Sequence, residues 1–270
     1  MQPLTFTLVQ THLHWEDKSA NLAMLEQKIN SIREPTEIIV LPEMFSTGFS
    51  MKPHLFAEGR DGETVQWMKK WAKQKKAIIT GSIIIQEEEQ YYNRLIWMLP
   101  NGSYGSYDKR HLFAYAGEDQ HYTPGNKRLI ASVKGWKINL QICYDLRFPV
   151  WARQAPSPQV EKAEDEGEYD VLIYIANWPE RRNYAWQTLL TARAIENQCY
   201  VIGVNRTGVD GNNIAHCGNS MVLDALGTAL YQKQNEEDVF TITLQKDTLL
   251  EIRKKFPFLQ DADHFNIINE

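Results

Sequence analysis

Strand-like and helix-like segments alternate along nearly the whole of this 270-residue chain, and that alternation restricts the folds open to it. Residues 2–10 read as a strand, and over 17–33 the residues Leu22, Leu25, Ile29 and Ile32 recur at helical spacing. Residues 37–41 read as a strand, and residues 64–75 as a helix with Val65, Met68 and Trp71 on one face. The nearly unbroken apolar run at 77–85 predicts a strand buried on both faces. After a polar turn at 87–91, a strand at 93–98 precedes Asn101-Gly102, a strong hairpin signal, and a further strand ends at Asp108. A second series follows. Two strands flank Lys134-Gly135, a helix starts near Phe148, and strands at 170–176, 200–204, 220–223 and 239–243 surround a helix at 184–197. The acidic, proline-containing stretch 156–168 reads as a solvated loop. With no repeat and no linker, the pattern predicts one α/β domain of layered helices and sheets.

Three polar residues stand at the ends of strands in this scheme. The run at 38–42 delivers Glu43, the strand at 103–108 delivers Lys109, and the strand at 137–142 delivers Cys143. A cysteine between a strand and a turn is a common display for a nucleophile. A thiol attacks as the thiolate, so it needs a base or a positive neighbour. Glu43 can take the thiol proton and return it to a leaving nitrogen if its surroundings raise its pKa. Lys109 and the backbone N–H of Tyr144 can receive the charge of a tetrahedral oxyanion. These three residues can converge only if their strands share one sheet system.

Composition removes several other classes. A net charge of −5 gives no global case for nucleic acid, and no apolar stretch is long enough to span a membrane. The N-terminus lacks the basic start and apolar core of a secretory signal. The three cysteines, Cys143, Cys199 and Cys217, form no metal-binding spacing, and so sparse and odd a set suits a reducing cytoplasm. Cys199 reads as core, and Cys217 beside His216 does not make a dyad merely by adjacency. Taken singly, Glu43 could be a turn acid, Lys109 a solvated charge and Glu118 half of an exposed pair with Asp119. Arg193 and Glu196 read as structural contacts on their helix.

The ordered set is specific where the single residues are not. Leu41-Pro42-Glu43, the stretch from Tyr107 to Phe113 and the stretch from Ile142 to Pro149 resemble the three catalytic motifs of the nitrilase, or carbon–nitrogen hydrolase, superfamily. Gly117-Glu118, Thr123-Pro124-Gly125-Asn126, Asn177-Trp178-Pro179 and the stretch 191–198 extend the resemblance over nearly the whole chain. It implies a four-layer α-β-β-α sandwich, a single domain over 1–270 with a C-terminal extension near 251–270, and a Glu43–Lys109–Cys143 triad supported by Glu118. No metal or organic cofactor is implied. The reaction expected is attack of Cys143 on an amide carbon, loss of ammonia and hydrolysis of a thioester by water.

Met44 to Phe49, the turn after Cys143 and the tail 255–263 are similar to the omega-amidase branch, whose substrates are the ω-amides of 2-oxo acids. Such a substrate carries a carboxylate, for which Arg147, Arg181 and Arg182 are the arginines to consider, with Trp178 at the pocket edge. Arg147 is also placed to brace the turn after Cys143. An N-carbamoyl amino acid amidase or a nitrilase would use the same triad. A cysteine peptidase would need a histidine base, and none of the seven histidines stands in a motif for it. A non-catalytic binding protein would tolerate loss of Glu43 and Lys109. The resemblance also implies a homodimer formed through the helix at 184–197, the strand after it and the aromatic tail.

Overall fold

Apolar residues alternate between the two faces of the first strands, and each face meets a different layer. The computed structural model describes residues 2–154, 167–263 and 265–268. In chain order the first half contains β1 Leu4–Gln10, α1 Lys18–Ser31, β2 Ile38–Val40, α2 Pro53–Phe56, α3 Glu63–Lys75, β3 Ile78–Glu87, β4 Gln90–Met98 and β5 Tyr104–Asp108. The second half contains β6 Leu129–Val133, β7 Trp136–Ile142, α4 Pro149–Ala152, β8 Val171–Ala176, α5 Asn183–Asn197 and β9 Tyr200–Asn205. It closes with β10 Thr207–Val209, β11 Ala215–Leu223, β12 Ala229–Gln234, β13 Asp238–Leu244 and α6 Lys246–Lys255.

Two sheets result. One has the order β13-β1-β2-β3-β4-β5, the other β10-β11-β9-β8-β7-β6 with β12 added on β11. In β1, Leu4, Phe6 and Leu8 enter the core between the sheets, while Val9 faces the other way, toward α1 and α3. In β2, Ile38 and Val40 point inward and Ile39 outward. Leu22, Leu25 and Ile29 of α1 and Val65, Met68 and Trp71 of α3 cover that outer face. Trp186, Leu190 and Ala194 of α5 cover the second sheet, whose strand β8 is buried along its whole length. The molecule is thus a four-layer α-β-β-α sandwich built as a single domain. Each fully buried Leu or Ile contributes roughly 1.5–3 kcal/mol, so the interlayer cores are the dominant favourable interaction.

Local chemistry sets the helix starts. Asp17 caps α1 by accepting a hydrogen bond from Ala20 N at 2.9 Å. Gly62 precedes α3 and has no side chain to offer, so buried Glu58 accepts from Thr64 N at 2.7 Å instead. The structure departs from the sequence expectation in four places. The turn at 87–91 shrinks to Glu88-Glu89, both at positive φ (49° and 65°), because β3 and β4 pair to their ends. The helix near Phe148 is only the four-residue α4, preceded by a 3-10 turn over Cys143–Arg147. Two regular elements, β12 and α6, carry too many polar residues to announce themselves. Finally, β2 and β5 lie in one sheet and β7 in the other, so the three strand ends meet across the sandwich rather than along one sheet. Of the acidic stretch 156–168, only Gly167 and Glu168 lie within the described residues. Among the described residues no helix is long and apolar enough to cross a membrane.

Gly125 shows how tightly the site end of the sandwich is packed. Its N–H donates to the Lys109 carbonyl at 2.9 Å, and a Cβ at this position would lie 2.2 Å from the Asp108 carbonyl oxygen. The clash is with the Asp108 backbone, which is not a flexible group that can yield. Gly125→Ala is therefore expected to destabilise the fold by about 1–3 kcal/mol, read as a lower urea midpoint with an unchanged m-value.

Candidate active site

Each functional side chain is held at the end of a strand by backbone contacts of its own. Leu41 N donates to Thr80 O at 2.7 Å as the chain leaves β2, and Met44, at φ 43°, donates its N–H to Ser82 Oγ at 2.8 Å. Glu43 is fixed between those two contacts on β3. Lys109 follows β5 directly and donates its N–H to Asn93 O at 3.0 Å. Cys143 follows β7 and sits at φ 46°, in the left-handed region that a non-glycine residue occupies only when its surroundings impose it.

The imposing groups are visible. Asp145, fully buried, accepts from Ile142 N at 3.0 Å, Tyr107 Oη at 2.7 Å, His111 N at 2.9 Å and His111 Nδ1 at 2.8 Å. It thereby ties the turn after Cys143 to the segment that carries Lys109. From the other side Arg193 donates Nη2–H to Leu146 O at 2.6 Å and pairs with Glu196 at 2.9 Å. The turn is therefore braced by Arg193, on α5. Arg147 does not brace it: its exposed guanidinium lies 5.2 Å from the Trp178 ring.

Inside the sandwich, Lys109 Nζ donates to Glu43 Oε1 at 2.9 Å and to Glu118 Oε2 and Oε1 at 2.9 and 3.1 Å. All three side chains are fully excluded from solvent. Asn93 Nδ2 bridges the carboxylates, at 2.8 Å from Glu43 and 3.2 Å from Glu118. Asn177 N donates to Glu43 Oε2 at 2.7 Å, and Phe113 N donates to Glu118 Oε2 at 2.6 Å. Every carboxylate oxygen therefore has a donor. Burial works against the Lys109 charge, but Glu118 and Glu43 overcome it and hold the ammonium protonated well beyond its usual range. Burial also pushes the Glu118 carboxyl up against the opposing pull of Lys109.

The Cys143 thiol faces this cluster. Burial first, and the hydrogen-bonded Glu43 carboxylate second, push its pKa well up, while Lys109 pulls it down. It is a protonated thiol at rest with a base already in contact. The groups that weigh on it are Glu43, Lys109 and Glu118, and no histidine is among them. The N–H groups of Cys143 and Tyr144 open the 3-10 turn, so neither has an acceptor within that turn.

A cavity of about 230 Å³ opens on the thiol. Phe49, Phe113, Tyr144 and Trp178 form its apolar walls, and Arg147, Arg181 and Arg182 face it with one acid, Asp210. Trp178 Nε1 donates to Arg182 O at 2.8 Å, and its ring also packs 5.4 Å from Trp186, so it is both wall and core. His216 lines the cavity, and burial with Arg206 nearby holds its pKa down to about 4, so the ring is neutral near pH 7. Cys217, the next residue on β11, points to the other side of the strand and is not in the cavity. Cys199 is buried core. The residues Glu43, Lys109, Cys143, Glu118, Tyr144, Trp178, Arg147, Arg181 and Arg182 thus all reach this one region. Sequence reasoning overlooked Asn93 and the Asp145–Tyr107–His111 network. A polar Asn opening an otherwise apolar strand was the signal for the first.

Fold and site together define a carbon–nitrogen hydrolase. The family model described as carbon-nitrogen hydrolase matches residues 5–254, and the chain belongs to that family. An omega-amidase, YafV, of Yersinia enterocolitica is 41% identical over 99% of this chain and 100% of its own. A 2-oxoglutaramate amidase of Bacillus subtilis is 30% identical over 95% of this chain and 96% of its own. The crystal structure of XC1258 from Xanthomonas campestris, a CN-hydrolase superfamily protein with an arsenic adduct in its active site, superposes with a TM-score of 0.95. It shares 40% identity and covers 99% of this chain and 100% of its own.

The ion cluster makes a signed prediction. In Lys109→Met, Glu43 and Glu118 remain buried and face each other without a cation. Burial and mutual repulsion then raise their folded-state pKa values above the unfolded ones, so the stability of the variant is present at low pH and lost as pH rises through the raised values. Thermal melts at pH 5.5 and pH 8 are expected to show a variant close to wild type at the lower pH. At the higher pH it should be weaker by about 3–5 kcal/mol, the usual cost of leaving a buried charge unpaired.

Proposed function

We propose that this hydrolase releases ammonia from the ω-amides of small 2-oxo acids, such as 2-oxoglutaramate, through a thioester on Cys143. The observation that carries the chemistry is a buried thiol in contact with Glu43, whose carboxylate is itself held by Lys109. Glu43 takes the thiol proton as sulfur bonds to the amide carbon, and the carbonyl π pair moves onto oxygen. The Tyr144 N–H and the Lys109 ammonium receive that oxyanion. When the pair returns, the C–N bond breaks and Glu43 delivers its proton to the departing nitrogen, giving ammonia and a thioester. Water then adds to the thioester, losing a proton to Glu43, and the thiol leaves with that proton. Glu118 holds Lys109 in place and charged throughout.

Two observations support the substrate. The relatives named for omega-amidase and 2-oxoglutaramate amidase activity align over nearly the whole chain. Three arginines against one aspartate give the cavity a net positive lining suited to a carboxylate. The three free thiols support a reducing, cytoplasmic setting. Ammonia release from 2-oxoglutaramate, glutamine, an N-carbamoyl amino acid and a nitrile tests the assignment. Turnover is expected on the keto-acid amide above all, falling to the blank in Cys143→Ala and by about 10²–10⁴ in kcat in Glu43→Gln. Preference for another panel member would overturn the substrate while keeping the triad. Full activity in Cys143→Ala would sink the thiol mechanism.

The protein is also read as a homodimer. The outer face of α5 exposes Tyr184 and Ile195, and Leu226, Leu230 and Phe258 add further exposed apolar side chains. The strand after α5 cannot take part, because β9 is buried between β8 and β11. The C-terminal extension is read as starting after α6, since Arg253 is buried and bonded to Tyr169 O and Gln198 O. Sedimentation at micromolar concentration is expected to give twice the 31.3 kDa chain mass.

A further inference from the structure

Lys109 is the positive charge nearest the thiol, yet it is already bound by two carboxylates. Any anionic end of a substrate must therefore be held elsewhere in the cavity, and three arginines line it. They are not equivalent. Arg147 is exposed, with its guanidinium 5.2 Å from the centre of the Trp178 ring, and Arg181 is exposed as well. Exposed guanidinium groups interact with an anion through water-screened charge, which is worth little.

Arg182 differs in each respect. It is half-buried, and its backbone is fixed on both sides: its N–H donates to Pro179 O at 3.0 Å and its carbonyl accepts from Trp178 Nε1 at 2.8 Å. Its guanidinium lies 5.0 Å from the centre of the Phe113 ring, which packs edge-on against Tyr144 at 4.9 Å. Tyr144 is the residue after Cys143, so the Phe113 ring contacts both the guanidinium and the nucleophile's turn. Among the charges acting on Arg182, Arg181 repels it most and Arg147 adds to that, while the Cys143 sulfur, which outweighs Arg147, attracts it. Burial and the two arginines hold its pKa below the usual guanidinium range. Among the described residues no acid pairs with Arg182, and a half-buried cation beside a cavity is stabilised by an anion placed there.

We propose that Arg182 is the carboxylate-binding residue of this site. It takes the 1-carboxylate of a five-carbon 2-oxo acid amide in a bidentate grip, while Arg147 and Arg181 act only as a screened positive rim. The carboxylate carbon and the amide carbon of such a substrate lie four bonds apart, a span of about 5 Å when extended. Planar, bidentate contact is what a guanidinium offers and an ammonium does not, so lysine is a poor replacement. The inference rests on the ω-amide reading of the site.

The test separates the two. Binding of 2-oxoglutarate, the carboxylate-bearing product, is measured by calorimetry on Cys143→Ala and on Cys143→Ala with Arg182→Met, Arg182→Lys or Arg147→Met added. Folding of each variant is checked by its thermal transition. Turnover of 2-oxoglutaramate and of valeramide, a neutral amide of the same length, is measured on Arg182→Met and Arg182→Lys with Cys143 intact. The Arg182→Met change is expected to weaken product binding at least 30-fold, with Arg182→Lys recovering only part of it. The same change should reduce the kcat/KM ratio of the two amides at least 30-fold, mainly through KM for the keto-acid amide. Arg147→Met is expected to cost at least tenfold less, and that cost should shrink with added salt. Equal product binding with and without Arg182, or no binding to Cys143→Ala at all, would overturn the role given to Arg182. A wild-type enzyme that prefers valeramide would instead overturn the ω-amide reading, whatever Arg182 does.

Discussion

Everything at the functional end of this molecule depends on one buried cation shared by two buried carboxylates. Removing an ammonium or a carboxylate from water costs several kcal/mol per ion even after relaxation. Lys109, Glu43 and Glu118 are all fully excluded from solvent, so the fold must return that cost through geometry. It does so with donors from four separate segments: Lys109 after β5, Asn93 on β4, Asn177 after β8 and Phe113 in the loop before Glu118. The cluster still carries one net negative charge. Burial first, and the Glu43 carboxylate second, hold the adjacent thiol protonated, which leaves Glu43 as the group beside it able to move its proton.

The two-sheet architecture is what makes such a cluster possible. Glu43 and Lys109 are supplied by the first sheet, and Cys143 and Asn177 by the second. Asn177 donates its side-chain N–H to Glu43 O at 2.6 Å as well as its backbone N–H to the carboxylate, closing the contact across the sandwich. The nucleophile itself is a strained point. A non-glycine residue at positive φ costs on the order of 1–3 kcal/mol and persists only where neighbours fix it. Here Asp145 on one side and Arg193 on the other do so, the first accepting from Ile142 N and the second donating to Leu146 O with its side chain.

Much of this was legible in the sequence, because the strongest signals are periodic or local. Alternation placed the main strands and three long helices within a few residues, and strand ends marked Glu43, Lys109 and Cys143. What stayed hidden has a common physical cause: it is set by pairing between distant segments. Glu88-Glu89 forms a two-residue hairpin without Gly or Asn because nine of the ten residues of β3 find a partner in β4. The edge strand β12 alternates exposed and half-buried polar residues and is a strand only because β11 offers it an edge. Glu118 beside Asp119 looks like an exposed acidic pair, and only the position of Lys109 shows which of the two is buried.

The same reasoning separates the arginines, which sequence could not rank. Arg147 follows the nucleophile closely and invites a bracing role, yet the brace comes from Arg193, whose α5 turn packs directly beneath Leu146. Arg181 and Arg182 are neighbours in sequence and differ in environment because the 3-10 turn Glu180–Arg182 sends one outward and folds the other onto Phe113. Phe113 is also the residue whose N–H binds Glu118. A single loop residue therefore joins the two charged halves of the site, the ions paired around Lys109 and the cation Arg182. An enzyme that must bind an anion without disturbing its own acid–base pair needs that division, with the free positive charge kept apart from the one already spent on catalysis.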